Sequence, residues 1–234
     1  MKRCEKCFGE YDERIAAGVC PHCGYMQGEQ QDDPRYLPIG CMLHDRYIIG
    51  GVVGAGGFGI TYKAWDAKYN VCKAIKEYFQ QGVVNRIPGD TEVFVSAPKR
   101  QEEFEYGKER LLEEARIVAK FQSSSIVRVD DFFEENGTSY MVMEFLDYET
   151  LEDYLIRQKR PLTEDEAVRI GVRLCEALDE IHHAGVVHRD ISPDNIFVSK
   201  EGGVKIIDFG SARLSKEDTD SRLIVLKPGY APPE

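Results

Sequence analysis

Nowhere in its 234 residues does the sequence hold a long, uncharged apolar run, so no membrane-spanning helix is expected. The opening MKRCEKCFGE carries basic residues with no apolar stretch behind them, which excludes a secretory leader reading. Positive charge is the minority: 30 Lys and Arg stand against 41 Asp and Glu, a net charge of −11. A chain of that sign repels phosphate backbones, so nucleic acid is a poor partner for it. No internal repeat is present, which sets solenoids aside. Disulfide pairing is disfavoured too. The cysteines number seven; four form two close pairs and Cys41, Cys72 and Cys175 are scattered. That pattern suits a reducing compartment, the cytoplasm.

The paired cysteines form a head over residues 1–26. Cys4, Cys7, Cys20 and Cys23 follow a C-x2-C-x12-C-x2-C spacing. Two residues between thiols let one knuckle present both to one metal, and Gly9 and Gly24 permit the turns behind. Four soft thiolates in a closed set favour structural Zn2+ over redox chemistry, which needs no second pair. His22 reads as a spectator. So short a segment buries little core, so zinc supplies its folding free energy. Its role is expected to be docking of a partner or regulation, not catalysis. The stretch 27–45, which includes QGEQQDDPRYLP, is polar and proline-marked and reads as a linker. As a linker it separates head from remainder, so loss of zinc is expected to unfold the head and leave the remainder's activity in place.

From Tyr47 the pattern changes. YIIGGVVGAGGFGITYKAWD and VCKAIKEYF read as neighbouring strands. Residues 101–122 place Phe104, Leu111, Leu112, Ala115, Val118 and Ala119 at helical spacing. SIVRVDDFFEENGTSYMVMEFL reads as two strands around an Asn136-Gly137 turn. Residues 163–185 form an amphipathic helix with a Thr163/Glu166 capping box and a stop at Gly185. IFVS and VKIIDFG add short strands. Strands first and helices later predict an α+β fold in two lobes.

Several residues are candidates for binding phosphate. GAGGFG supplies Gly54, Gly56, Gly57 and Gly59, and the alternating ITYKAWD behind it is a strand. A dinucleotide fingerprint would open a helix there instead; a glycine hairpin offers backbone N–H groups to a triphosphate. Lys76 ends KAIK on the next strand, and Glu114, with Glu113 as its rival, sits in the following helix as an ion-pair partner. Asp190 and Asn195 in HRDISPDN and Asp208 in DFG supply two carboxylates and an amide oxygen. Such oxygens suit Mg2+, and one carboxylate, Asp190, remains to orient a hydroxyl nucleophile.

From about Tyr47 to Glu234 the chain resembles the eukaryotic-type protein kinases, and GGFGITY, AIKEYF, HRDISPDN and KPGYAPPE look most like bacterial serine/threonine kinases carrying an N-terminal zinc ribbon. The resemblance implies a β-rich lobe over 46–147 and a helical lobe over 148–234. It implies an ATP- and Mg2+-dependent enzyme acting on protein serine or threonine. It places Glu114 opposite Lys76, Met143 as gatekeeper, and Glu144 and Leu146 at the hinge. Val53, Thr61, Ala74 and Phe197 would surround adenine, and Asn195 and Asp208 would hold Mg2+. Val118, Val129, His188 and Phe209 would stack as a hydrophobic spine. Arg189 would receive an activation-segment phosphate, for which Ser215, Thr219 and Ser221 are candidates.

Four departures stand out. Thr61 replaces a valine. The segment between Lys76 and Glu114 is long and is expected to fold a small hairpin of its own. Ser192 replaces the loop lysine beside Asp190, while Lys227 occupies a position where the family has threonine. The exchange is reciprocal, so Lys227 is expected to deliver the missing ammonium, with Ser192 as its hydrogen-bond acceptor. Glu234 lacks the arginine that it pairs with in the family, so the chain is expected to be a fragment. The alternative functions are a pseudokinase or nucleotide-binding scaffold, favoured by Ser192, and a zinc-ribbon nucleic-acid binder, opposed by the charge.

Overall fold

The computed structural model of the protein describes residues 1–12, 14, 18–199, 202–210 and 212–214. It divides into two compact units, one of Met1–Ala115 with Val129–Phe145, the other of Arg116–Arg128 with the residues from Leu146 onward. Among the described residues no helix is long and apolar enough to cross a membrane.

The first unit begins with two short strands, β1 (Lys2–Arg3) and β2 (Glu10–Tyr11), paired across the first cysteine knuckle. Its main sheet has six antiparallel strands. In chain order these are β3 (Met42–Leu43), β4 (Tyr47–Ala55), β5 (Gly59–Asp66), β6 (Val71–Tyr78), β9 (Val129–Glu135) and β10 (Thr138–Glu144). Their spatial order is β3-β4-β5-β6-β10-β9. Strand alternation sets the faces: Ile60, Tyr62, Ala64 and Asp66 of β5 are buried, while Thr61, Lys63 and Trp65 take the other face. The β9–β10 turn has Asn136 at φ 52° and Gly137 at φ 72°, the two positive values that a tight Asn-Gly hairpin requires.

The segment after β6 does fold a hairpin of its own, β7 (Val84–Arg86) with β8 (Val93–Val95). It is anchored by charge. The Arg86 guanidinium pairs with the Glu77 carboxylate, and both side chains are fully buried. Tyr62 Oη and Tyr140 Oη each donate to Glu77 at 2.9 Å. Burial pushes the Glu77 carboxyl up, and the Arg86 charge offsets part of that rise. With four donors on one carboxylate, the ionised pair is the state the geometry serves.

Residues 27–45, read as a linker, hold parts that pack on this sheet instead. Leu37 is fully buried, and its N–H donates to Tyr62 Oη at 3.1 Å. The Arg35 carbonyl accepts from Arg86 Nη1 at 2.6 Å, and β3 extends the sheet edge. Proline and polar residues hid an ordered strap, because its partners lie far along the sequence.

Helix α1 (Gln101–Val118) buries Phe104, Leu111, Leu112, Ala115 and Val118 at the expected spacing. It stops four residues earlier than the sequence reading, where the Phe121 N–H turns back to the Val118 carbonyl at 3.0 Å.

The second unit holds β11 (Glu149–Thr150), α2 (Leu151–Gln158), α3 (Glu164–His183), β12 (Val186–Val187), β13 (Ile196–Val198), β14 (Val204–Ile206) and β15 (Arg213–Leu214). Strands β11, β13 and β14 form one sheet and β12 pairs β15. Leu151, Ile170, Ile196, Val198 and Val204 make its core. The capping box at Thr163 and Glu166 is present on both sides. Helix α2 went unread, although Thr150 caps it by accepting from the Asp153 N–H at 2.9 Å.

Candidate active site

In the first unit, the glycine segment joins β4 to β5 as a hairpin closed by the Gly56 N–H on the Gly59 carbonyl at 2.9 Å. Added methyl groups at Gly54, Gly56 and Gly57 would meet nothing within 4 Å, so this backbone is open to a ligand. Gly59 is different: a Cβ there would stand 2.8 Å from the Glu77 carbonyl. A residue that sequence reasoning missed holds the loop. Gln81 donates its N–H to the Gly57 carbonyl at 2.9 Å and its Nε2 to the Gly56 carbonyl at 3.0 Å. No glycine motif contains it, and only its place just beyond β6 hints at the contact.

The strand register gathers the other predicted residues of this unit. Lys76 is opposite Thr61 on one side and Met141 on the other, and Ala74 is opposite Lys63 and Met143. Directly paired residues share a face, so Thr61, Ala74, Lys76 and Met143 line one surface of the sheet. Val53 lies in β4 beside the loop and is half exposed. Glu144 ends β10.

The open choice between two glutamates is resolved. Lys76 Nζ lies 3.2 Å from Glu114 Oε1 and 3.4 Å from Oε2. Glu113 points elsewhere and pairs with Arg110 at 2.7 Å. Glu114 is nearly buried and Lys76 partly exposed. The buried carboxylate therefore fixes a lysine whose side chain remains partly exposed.

In the second unit, the segment 188–195 leads through a short 3-10 turn at Pro193–Asn195 into β13. Asn195 Nδ2 donates to the Asp190 carbonyl at 3.0 Å and to Asp190 Oδ2 at 2.9 Å. The carboxylate is thereby aimed by a residue five positions on. Ser192, buried, caps the turn with its carbonyl accepting from the Asn195 N–H at 2.9 Å. His188 Nδ1 accepts from the Asp190 N–H at 3.3 Å, and its ring meets Phe209 edge-on with centroids 4.6 Å apart. Burial pushes the His188 imidazole below its usual range, with the Asp208 charge opposing the shift. Phe121 also packs on Phe209, with ring centroids 6.0 Å apart. Phe197 sits in β13, and Leu146 begins the second segment of this unit.

Arg189 and Asp208 both hold positive φ, 68° and 58°. Non-glycine residues adopt this conformation at a cost of about 1–2 kcal/mol, and such strain clusters where a side chain must be aimed. Nothing in the residue types announces it. Lys227, Ser215, Thr219, Ser221 and Glu234 lie outside the described residues.

At the head, the four thiols lie within 4.8 Å of one another. Cys4 and Cys23 sulfurs are 3.6 Å apart and Cys7 and Cys20 sulfurs 3.7 Å. A tetrahedral Zn2+ with Zn–S bonds of about 2.3 Å needs sulfurs about 3.8 Å apart, so the donor set fits that ion. Each knuckle is closed by backbone bonds: Phe8 N–H to the Cys4 carbonyl at 3.0 Å, and Gly24 N–H to the Cys20 carbonyl at 2.9 Å. His22 Nε2 bonds the Glu10 carbonyl at 3.0 Å, consistent with a spectator.

Residues 47–234 match the protein kinase domain family. A "Probable serine/threonine-protein kinase" of Clostridium perfringens is 32% identical over 184 residues, which are 77% of this chain and 24% of that protein. The "Serine/threonine-protein kinase PknB" of Mycobacterium leprae is 31% identical over 76% of this chain and 26% of its own. Among solved structures, the apo form of PpkA-294 is similar with a TM-score of 0.72 at 33% identity, covering 76% of this chain and 62% of that one. The chain thus spans about a quarter of the length of the curated relatives. With the glycine hairpin, the Lys76–Glu114 pair and the aimed Asp190 each in place, the match settles the family: the chain belongs to the protein kinases.

Proposed function

We propose that the protein transfers the γ-phosphoryl group of ATP to serine or threonine hydroxyls of protein substrates. The observation that carries this is the selection of Glu114 over Glu113 by Lys76, at 3.2 Å, on the face of the sheet that also presents Thr61 and Ala74. A lysine so fixed is suited to the α- and β-phosphates. Asp190 is the residue to orient the substrate hydroxyl and accept its proton. When bound, Mg2+ neutralises charge on the transferring phosphate; Asp208 and the amide oxygen of Asn195 are the ligands this chain offers it. Gly54, Gly56, Gly57 and Gly59 supply backbone to the phosphates. Val53, Met143, Glu144, Leu146 and Phe197 are assigned to the base.

Ser192 and Lys227 are assigned the reciprocal roles inferred from the sequence, with the ammonium of Lys227 serving the γ-phosphate. The relatives compared lend no support to the pseudokinase alternative. The Cys4, Cys7, Cys20 and Cys23 set is assigned structural Zn2+, and its reduced thiols fit a cytoplasmic protein. The test is Mg2+-dependent phosphate transfer from ATP by the full-length protein, followed by phosphoamino-acid analysis. Phosphoserine or phosphothreonine, lost in Asp208→Asn, is expected; binding of ATP with no transfer under any condition overturns the reading.

A further inference from the structure

The two knuckles of the head differ at one position. The residue after the second cysteine must take a left-handed conformation. In the second knuckle it is Gly24, at φ 75°; in the first it is Phe8, at φ 62°. Glycine adopts that backbone without strain and phenylalanine does not. Phe8 is no metal ligand, yet it is buried, with 7% of its surface exposed.

Its ring is seated on the kinase sheet. Phe8 and Trp65 have centroids 5.9 Å apart, and the Arg3 guanidinium lies 3.7 Å from the centre of the Trp65 ring. A Cβ at Gly50 would stand 2.7 Å from Phe8 Cε2, so only glycine admits the ring there. The ladder between β4 and β5 is irregular at this point, shifting register between Ile49 and Val52 and again between Val52 and Gly54. Residues from outside the β4–β5 pair take up the backbone polar groups. The Gly51 N–H donates to the Lys6 carbonyl at 2.8 Å, and the Gly50 carbonyl accepts from Gln31 Nε2 at 2.9 Å. Gly54, the first residue of the phosphate loop, is three positions beyond Gly51.

We propose that the metal-loaded head is a clamp on β4, so that metal occupancy at Cys4, Cys7, Cys20 and Cys23 sets the order of the glycine loop and hence the affinity for nucleotide. The knuckle that carries the Lys6 carbonyl and the Phe8 ring is shaped by Cys4 and Cys7. Without the ion these two contacts lose their support. The paired backbone at Gly50 and Gly51 then opens, and a looser loop must be ordered again when nucleotide binds. The strain at Phe8 is the cost of this docking, since glycine would serve the metal site better. This inverts the expectation of a linker that insulates the two parts, and it rests on the zinc reading above.

The experiment compares wild type with Phe8→Gly in the full-length protein, each with its zinc and after a zinc-selective chelator, at constant excess Mg2+. Zinc content, the dissociation constant for Mg-ADP, and hydrogen exchange over residues 47–55 are read. Phe8→Gly is chosen because it places in the first knuckle the residue that the second already uses. Wild type should weaken about fivefold or more toward Mg-ADP on chelation and exchange faster over 47–55. Phe8→Gly should keep its zinc, start at the weakened affinity and respond little to the chelator. Zinc bound but without effect on affinity or exchange in wild type overturns the clamp. So does a Phe8→Gly protein with wild-type affinity and exchange. Wild type that binds no zinc overturns the metal reading on which the clamp rests.

Discussion

Lys76 and Glu114 stand 3.2 Å apart, while Glu113, one residue away, is turned to Arg110 at 2.7 Å. Helix geometry accounts for the difference. Neighbouring residues on a helix point about 100° apart, so only one of two consecutive glutamates can face the sheet. Arg110 and Glu113 are three positions apart and meet on the outer face of α1. Glu113→Ala should therefore leave phosphoryl transfer within about twofold, since a surface pair of this type contributes at most about 0.5 kcal/mol. Glu114→Ala should reduce it by an order of magnitude or more; equal losses in the two variants, measured as initial rates, would remove the assignment.

Arg86 and Glu77 form a fully buried pair joining the β7–β8 hairpin to the sheet. Removing one partner leaves a buried charge and two tyrosine hydroxyls facing it. Arg86→Ala is expected to cost about 3–5 kcal/mol in urea unfolding of the full-length protein. A loss below about 1 kcal/mol would mean that water reaches Glu77 and the pair is not a structural anchor.

The capping box at the start of α3 offers a milder perturbation. Thr163 accepts from the Glu166 N–H at 3.3 Å, and Glu166 accepts from the Thr163 N–H at 2.8 Å. Thr163→Ala should destabilise by about 1 kcal/mol, which in a domain of this size lowers Tm by roughly 2–4 °C. An unchanged Tm would show that α3 is held by its packing alone.

Ser192 and Lys227 make a sharper case. If Lys227 supplies the ammonium that the loop lacks, Lys227→Thr lowers activity strongly, and Ser192→Lys in the same protein restores part of it. The coupling should be at least about 1 kcal/mol in a double-mutant cycle on kcat/KM. Simple additivity would separate the two residues.

The sequence made much of this visible where the signal is local. The Asn136-Gly137 turn, the capping box at Thr163 and the hairpin after β6 needed only short-range rules. Helix α2 was equally available, since Leu151, Tyr154 and Leu155 follow Thr150 at helical spacing; its charged residues obscured the stripe. The docked head is a different matter. Phe8, Gly50 and Trp65 come together only in the fold, and no periodicity connects them. The strap at 27–45 failed for the same reason, as the fully buried Leu37 bonds a tyrosine 25 positions away through its backbone N–H. The positive φ at Arg189 and Asp208 is likewise a tertiary product, imposed on residues that would avoid it alone.

The most direct test of the account is single-turnover phosphoryl transfer from Mg-ATP by the full-length protein, comparing wild type with Lys76→Ala at saturating nucleotide. Lys76 is paired with Glu114 and is partly exposed, so its loss should leave the fold and Tm near wild type. A charged donor acting on the transition state in a water-poor site is worth roughly two to three decades in rate, and a fall of that size is predicted. A decrease of less than a few-fold, in a variant that still folds and binds Mg-ATP, would contradict the account.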